Sequence, residues 1–158
     1  MNVRHDMITV FIARPAPPAS DGSHELLQLR RVPASFTGGT WQTVRGKIKP
    51  PETAVQGALR ELREETGLVP KEFYRLPSLE SFYTEPNDTI WHNPVFFALI
   101  GRDAPDIQMN HEHDAYRWVP LANVKDTFMW PGERALIAEI QSEILSAGLA
   151  KPHLIIKL

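Results

Sequence analysis

Three glutamates in one short stretch are placed to do chemistry. Glu61, Glu64 and Glu65 are spaced i, i+3 and i+4, so on a helix their carboxylates share one face. Like charges at that spacing repel by about 0.2–0.5 kcal/mol. The triplet also falls in the last turns of the helix its neighbours predict, beside the negative end of the helix dipole. A local preference broken in this way points to a compensating charge from outside the chain. A divalent cation fits, because clustered carboxylates are hard oxygen ligands suited to Mg²⁺, Mn²⁺ or Ca²⁺. For E-x-x-E-E standing alone, the alternative is a solvated acidic face.

The elements that must hold these carboxylates can be read around them. Thr53 and Gln56 form a T-x-x-Q capping box, which starts a helix. Gly67 followed by Leu68 supplies a left-handed stop with its apolar contact. Val55, Ala58, Leu59 and Leu62 recur at helical spacing and predict a buried stripe beside the glutamates. Gly57 inside the helix costs about 1 kcal/mol relative to Ala, which predicts close packing by another segment. Upstream, Pro50 and Pro51 restrict the loop that leads into the helix.

The whole stretch fits one spaced signature, G-x5-E-x7-R-E-U-x-E-E-x-G-U with U aliphatic. Gly46, Glu52, Arg60, Glu61, Leu62, Glu64, Glu65, Gly67 and Leu68 occupy every fixed position. At ordinary residue usage a chance match in this chain is below about one in a million. The stretch resembles the Nudix box, and the chain is similar to the Nudix hydrolases. That resemblance implies an α/β fold in which a mixed β-sheet is sandwiched between helices. It implies an enzyme that cleaves a nucleoside diphosphate linked to another moiety, with Mg²⁺, or Mn²⁺ in its place, as cofactor. By the same resemblance Glu61, Glu64 and Glu65 bind the metal with help from the Gly46 carbonyl, and Glu52 and Arg60 form a structural ion pair.

Length and composition bound the remaining possibilities. The 158 residues, 42% of them hydrophobic, make one domain over 1–158 with a substantial core. A formal charge of −2 argues against a non-specific nucleic-acid binder. With no cysteine there is no disulfide framework, thiolate metal site or cysteine nucleophile. Neither a signal peptide nor an apolar run of membrane-spanning length is present, so a cytoplasmic protein with no membrane partner is expected.

Along the chain, Met7–Ala13 and Glu25–Arg31 read as strands separated by a Pro/Gly/Ser-rich loop from Arg14 to His24. Trp41–Ile48 leads into the box, and Phe73–Thr84 and Thr89–Ile100 contain strands joined by the polar turn EPND. His92 and Asn93 fall in the less regular entry to the latter strand, where structural or solvent-exposed roles are expected. Tyr116–Val119 is strand-like. Pro131–Ser146 reads as a second helix with Ala135, Leu136, Ile140 and Ile144 on its apolar face, and Gly148 follows as a stop. The tail HLIIKL is too apolar to run free, so it packs on the core or on a second subunit of a homodimer.

Several residues outside the box are candidates for the site. Glu112 stands six residues before Trp118, a spacing at which resemblance implies a glutamate that joins the metal site or acts as base. The resemblance implies that Glu61 and Glu65 would hold the principal ion or ions, and that Glu64 or Glu112 would orient or deprotonate the attacking water. Arg31, Arg45 and Lys47 are cations that can offset phosphate charge, and Trp41, Trp91 and Trp130 can stack on a base. His111 and His113 form H-x-H without an evident third ligand, so no zinc site is expected.

The substrate is a small-molecule nucleotide by resemblance. WQTVRGKI, EHDAYRWVPL and FMWPGERALIAEI are similar to the group of dihydroneopterin triphosphate pyrophosphatases and dATP pyrophosphohydrolases. HEHDAYRW and the pair Phe82-Tyr83 are also similar to asymmetric diadenosine tetraphosphate hydrolases. The expectation is cleavage of a nucleoside or pterin triphosphate to monophosphate and pyrophosphate. Two alternatives are a diadenosine polyphosphate hydrolase and a non-catalytic nucleotide-binding module.

Overall fold

A computed structural model of the chain describes residues 1–20 and 22–158. Asp21, inside the predicted Arg14–His24 loop, lies outside the described residues. The chain forms strands β1 (Asn2–Arg4), β2 (Met7–Pro15), β3 (His24–Arg31), β4 (Trp41–Gln42) and β5 (Val44–Lys47), then helix α1 (Ala54–Thr66). There follow β6 (Glu72–Thr84), β7 (Thr89–Leu99), β8 (His113–Pro120), α2 (Val124–Thr127), α3 (Pro131–Glu139), α4 (Lys151–Leu154) and β9 (Ile155–Ile156).

Among the described residues one mixed sheet contains all nine strands, with β4-β3-β2-β7-β6-β9 as its main path. β2 runs parallel to β7 and antiparallel to β3 and β5. Its two halves have different neighbours on that side: Met7–Val10 pair with β5, and Ala13–Pro15 with β3. Side-chain alternation along β2 divides the core. Ile8, Val10 and Ile12 pack with Ala58 and Leu62 of α1. Phe11 and Ala13 pack with Leu136 and Ile137 of α3 on the opposite side. The result is the expected α/β arrangement, with a sheet between helices.

Helix α1 starts and stops as its sequence dictates. Thr53 and Gln56 make both bonds of the capping box, and Gly67 closes the helix in the left-handed region at φ 72°. Gly57 is buried, but a methyl added there would meet Glu52 and Ile48 only at the ordinary contact distances of 3.4 and 3.7 Å, so the neighbouring segment is near without requiring glycine. β6 and β7 are antiparallel neighbours, as EPND predicts.

The structure departs from the sequence expectations in several places. Trp41–Ile48 is two short strands, and β8 begins three residues before Tyr116, at His113. His92 and Asn93 lie within the regular ladder of β7, and Asn93 is fully buried. The second helix is α-helical only to Glu139 and widens into π-helical turns over Ile140–Leu145. Its buried stripe is Glu133, Leu136, Ile137, Ile140 and Ile144, whereas Ala135 faces outward. The apolar tail takes the first of its two expected positions: Ile155 and Ile156 pair with β6 of the same chain. Among the described residues no helix is long and apolar enough to cross a membrane.

Candidate active site

Gly46 and α1 define the centre of the site. In β5, Gly46 pairs with Ile8, whose side chain points to the α1 side. A Cβ at Gly46 would lie 2.1 Å from Cδ of Glu61. The absence of a side chain at Gly46 is therefore what lets the Glu61 carboxylate lie against the β5 backbone. From there the i+3 and i+4 steps give Glu64 and Glu65 different environments. Glu64 is exposed, and Glu65 is buried.

Glu65 is the electrostatic centre of the group. Burial, followed by the charges of Glu61 and Glu112, pushes its carboxyl well above the usual carboxylate range. The loop that carries Glu112, remote in sequence, thus lies beside α1, with the neighbouring His113 against Glu65. The one potential cation within 4 Å of Glu65, among the described residues, is His113, with Nε2 3.8 Å away. Burial in turn lowers the pKa of His113, which favours its neutral form.

The end of β3 and the loop itself fix Glu112 from two sides. Its carboxylate accepts from Arg31 Nη1 at 3.0 Å, and its backbone N–H donates to Asn110 Oδ1 at 3.1 Å. Because Asn110 Oδ1 already accepts from that N–H, the 3.2 Å contact of His113 Nδ1 with it has the ring nitrogen as donor. The Nε2 lone pair of His113 then faces Glu65. The contributions of Asn110 and His113 were not foreseen, and polar loop residues flanking Glu112 were the only signal for them.

Arg60 ties the α1 face to the preceding loop. Its Nε donates to Glu52 Oε1 at 2.6 Å and its Nη2 to Glu52 Oε2 at 3.0 Å, a two-pronged contact. Nη2 also reaches the Lys47 carbonyl at 2.8 Å, while Nη1 donates to Glu61 and Glu64 at 2.7 and 3.0 Å. The guanidinium and the backbone N–H of Lys49 hold the Glu52 carboxyl down at about 2. Arg60 also partly neutralises the acidic face.

Other predicted residues lie around or behind this centre. Lys47 is exposed, with its backbone in contact with Arg60. Trp41 carries the Arg117 guanidinium over its ring at 4.2 Å. Trp91 is buried against Phe82 and donates through Nε1 to Thr84, while Trp130 is exposed just before α3. Arg45 was expected among the phosphate-facing cations, but its guanidinium turns to the α3 side. There it is held by Glu80 and by Glu133, the latter at 2.8 Å. The reason is strand alternation: Arg45 sits opposite Thr9, one residue out of phase with Gly46 and Ile8.

The residues present fit a divalent cation. The buried Glu65 carboxylate is pressed by Glu61 and Glu112, is only partly offset by the more distant Arg31 and Arg45, and has a neutral imidazole as its nearest candidate partner. Oxygen donors are what Mg²⁺ and Mn²⁺ take. Among the described residues no three His, Asp or Glu side chains are already closed into a ligand set, and Arg60 holds oxygens of Glu61 and Glu64.

Comparison with known proteins agrees with the motif and the fold. The model of the NUDIX domain matches residues 12–140. The asymmetrical bis(5'-nucleosyl)-tetraphosphatase of Sus scrofa is 27% identical over 143 residues, covering 88% of this chain and 93% of that protein. The fold is shared with a C. elegans Ap4A hydrolase, at TM-score 0.72 and 19% identity over 90% of this chain and 99% of that one. It is shared too with the E. coli dihydroneopterin triphosphate pyrophosphohydrolase, at TM-score 0.64 and 19% identity over 89% and 96%.

Proposed function

Because this chain belongs to the Nudix family, whose members hydrolyse phosphoanhydride bonds of small nucleotides, generally with divalent metal, we propose that it is a Mg²⁺-dependent pyrophosphohydrolase. Its substrate is a nucleoside or pterin triphosphate, released as monophosphate and pyrophosphate. The observation that carries the metal chemistry is the buried Glu65 carboxylate, which feels the charges of Glu61 and Glu112 and has only His113, 3.8 Å away, as a potential cation within reach among the described residues. Glu61, Glu64, Glu65 and the Gly46 carbonyl would hold Mg²⁺ or Mn²⁺. When bound, such an ion neutralises phosphate charge and lowers the pKa of water. Glu64 or Glu112 orients or deprotonates the nucleophile, with Glu61 as the third carboxylate beside it. Arg31, whose guanidinium bonds Glu112, would meet the leaving pyrophosphate, with the exposed Lys47 as a second cation.

The choice of triphosphate rests on two segments, WQTVRGKI and WPGERALI, which meet in space through the Arg45–Glu133 ion pair. A second reading, hydrolysis of diadenosine tetraphosphate, is favoured by the likeness to the Sus scrofa tetraphosphatase over most of both chains. A panel of nucleoside triphosphates, dihydroneopterin triphosphate, diadenosine tetraphosphate and nucleotide sugars, assayed with Mg²⁺, separates the two. The proposal expects the highest kcat/KM on a triphosphate. Inert triphosphates beside a diadenosine tetraphosphate split into mono- and triphosphate would replace it with the second reading.

A further inference from the structure

A second polar cluster lies on the α3 side of the sheet, away from the carboxylate face. Arg45 Nε donates to Glu80 Oε2 at 3.1 Å, and its Nη2 donates to Glu80 Oε1 and to Glu133 Oε1, the latter at 2.8 Å. Thr9 Oγ1 donates to Glu80 Oε2 at 2.5 Å, and Asn93 Nδ2 approaches the same oxygen at 3.5 Å. Thr9, Asn93 and Glu133 are fully buried, and Glu80 is 5% exposed. One guanidinium therefore ties together β5, β6 and α3, with β2 and β7 joined through Glu80.

The next residue along β5 is Gly46, which faces the other way and lies against Glu61. β5 has only four residues and pairs with β2 alone. The height of its backbone above α1 is set on that side by the packing of Val44 and by the bond from Arg60 to the Lys47 carbonyl, and on the other side by the Arg45 fork. We propose that Arg45 is a positioning residue: its fork to Glu80 and Glu133 fixes the Gly46 peptide against Glu61, so that β6 and α3 set the geometry of the metal-binding carboxylates. The inference rests on the reading that those carboxylates hold a divalent cation. It assigns Arg45 no contact with substrate. Lysine cannot replace it, since a single ammonium does not present the planar fork that spans two carboxylates.

The test uses the full chain and two readouts that need no substrate. They are Mn²⁺ affinity, from the electron paramagnetic resonance of free Mn²⁺, and hydrogen exchange of the Val44–Lys47 amides. Arg45→Lys is compared with a core variant of α3's continuation, Ile144→Val or Ile144→Ala, whichever matches its loss of thermal stability. Supports of metal ligands typically contribute about 10- to 100-fold to metal affinity, so Arg45→Lys should weaken Mn²⁺ binding by about tenfold or more and speed exchange across β5. The control should change neither. Thr9→Val, which removes one hydroxyl from the cluster at nearly constant volume, should shift both readouts in the same direction by less. It also serves as the deciding variant if Arg45→Lys does not fold. Wild-type Mn²⁺ affinity in the folded variants, or equal losses in the control, overturns the inference. So does a raised KM at unchanged Mn²⁺ affinity, which would place the guanidinium on the substrate. A wild-type protein that binds no Mn²⁺ would instead refute the proposed function.

Discussion

Gly46→Ala offers a sharp test of how the site is built. Gly46 is not among the positive-φ glycines, which are Gly39 and Gly67, so alanine adds a steric contact without torsional strain. The new methyl would sit 2.1 Å from Glu61 Cδ, 2.3 Å from Cγ and 2.3 Å from Oε1. Restoring ordinary contact at 3.4 Å requires the carboxylate to move by about 1.3 Å. The atoms in the way belong to a flexible side chain, so Glu61 can swing aside at the expense of its 2.7 Å bond from Arg60. An off-rotamer side chain costs about 0.5–1.5 kcal/mol, which lowers the melting temperature of a domain this size by only about 1–6 °C. A displacement of about 1 Å at a reacting centre, however, can cost about 100-fold in rate, or about 2.7 kcal/mol of transition-state stabilisation. Gly46→Ala should therefore remain folded by circular dichroism while kcat/KM falls about 100-fold and Mn²⁺ binding weakens. Wild-type turnover and metal affinity in a folded Gly46→Ala protein would refute the argument that Glu61 works from its seat on Gly46.

Three further outcomes follow from the electrostatics. Because the folded pKa of Glu65 lies above the ordinary value of 4.5, protonation favours the metal-free fold, and that stabilisation is lost as pH rises through the raised pKa. Glu65→Gln should flatten this slope in chelator-treated protein and abolish the Mg²⁺-induced rise in melting temperature, both read by thermal denaturation; an unchanged Mg²⁺ response would place the metal elsewhere. Glu52 has the opposite sign: with its carboxyl held at about 2, the stabilisation is present above the ordinary 4.5 and lost as pH falls toward 2. A double-mutant cycle with Glu52→Gln and Arg60→Met should show coupling at pH 7 that shrinks in acid, and zero coupling at both pH values would deny the pair its role. Arg31→Gln should lower kcat/KM for the triphosphate more than it lowers Mn²⁺ affinity, since its guanidinium is assigned to phosphate; equal losses in both would make it only a support for Glu112.

Much of the α1 side was legible because its signals are local. The capping box, the Gly67 stop and the i, i+3, i+4 glutamates depend on a single helix, and all are found where the spacing puts them. The α3 side was less legible because it depends on register between distant strands. Arg45 follows a valine and precedes the glycine of the motif, and only its pairing with Thr9 decides which face it takes. Glu133 carried a readable sign, since it lies three and four residues before Leu136 and Ile137 on the buried stripe. Charge suggested solvent there, while spacing indicated burial. The same non-local pairing explains β1, whose three residues gain strand conformation only by running parallel to Thr89–Trp91.

In the proposed mechanism the glutamates of α1, with Gly46 and Glu112, make this chain a metal-dependent hydrolase of a phosphoanhydride. The most direct measurement is mass identification of the first products formed from a nucleoside or pterin triphosphate, with Mg²⁺ and with chelator. Monophosphate and pyrophosphate should appear together with Mg²⁺, without free phosphate, and no product should form in chelator. Equal turnover in chelator, or free phosphate released as the first product, would contradict the account.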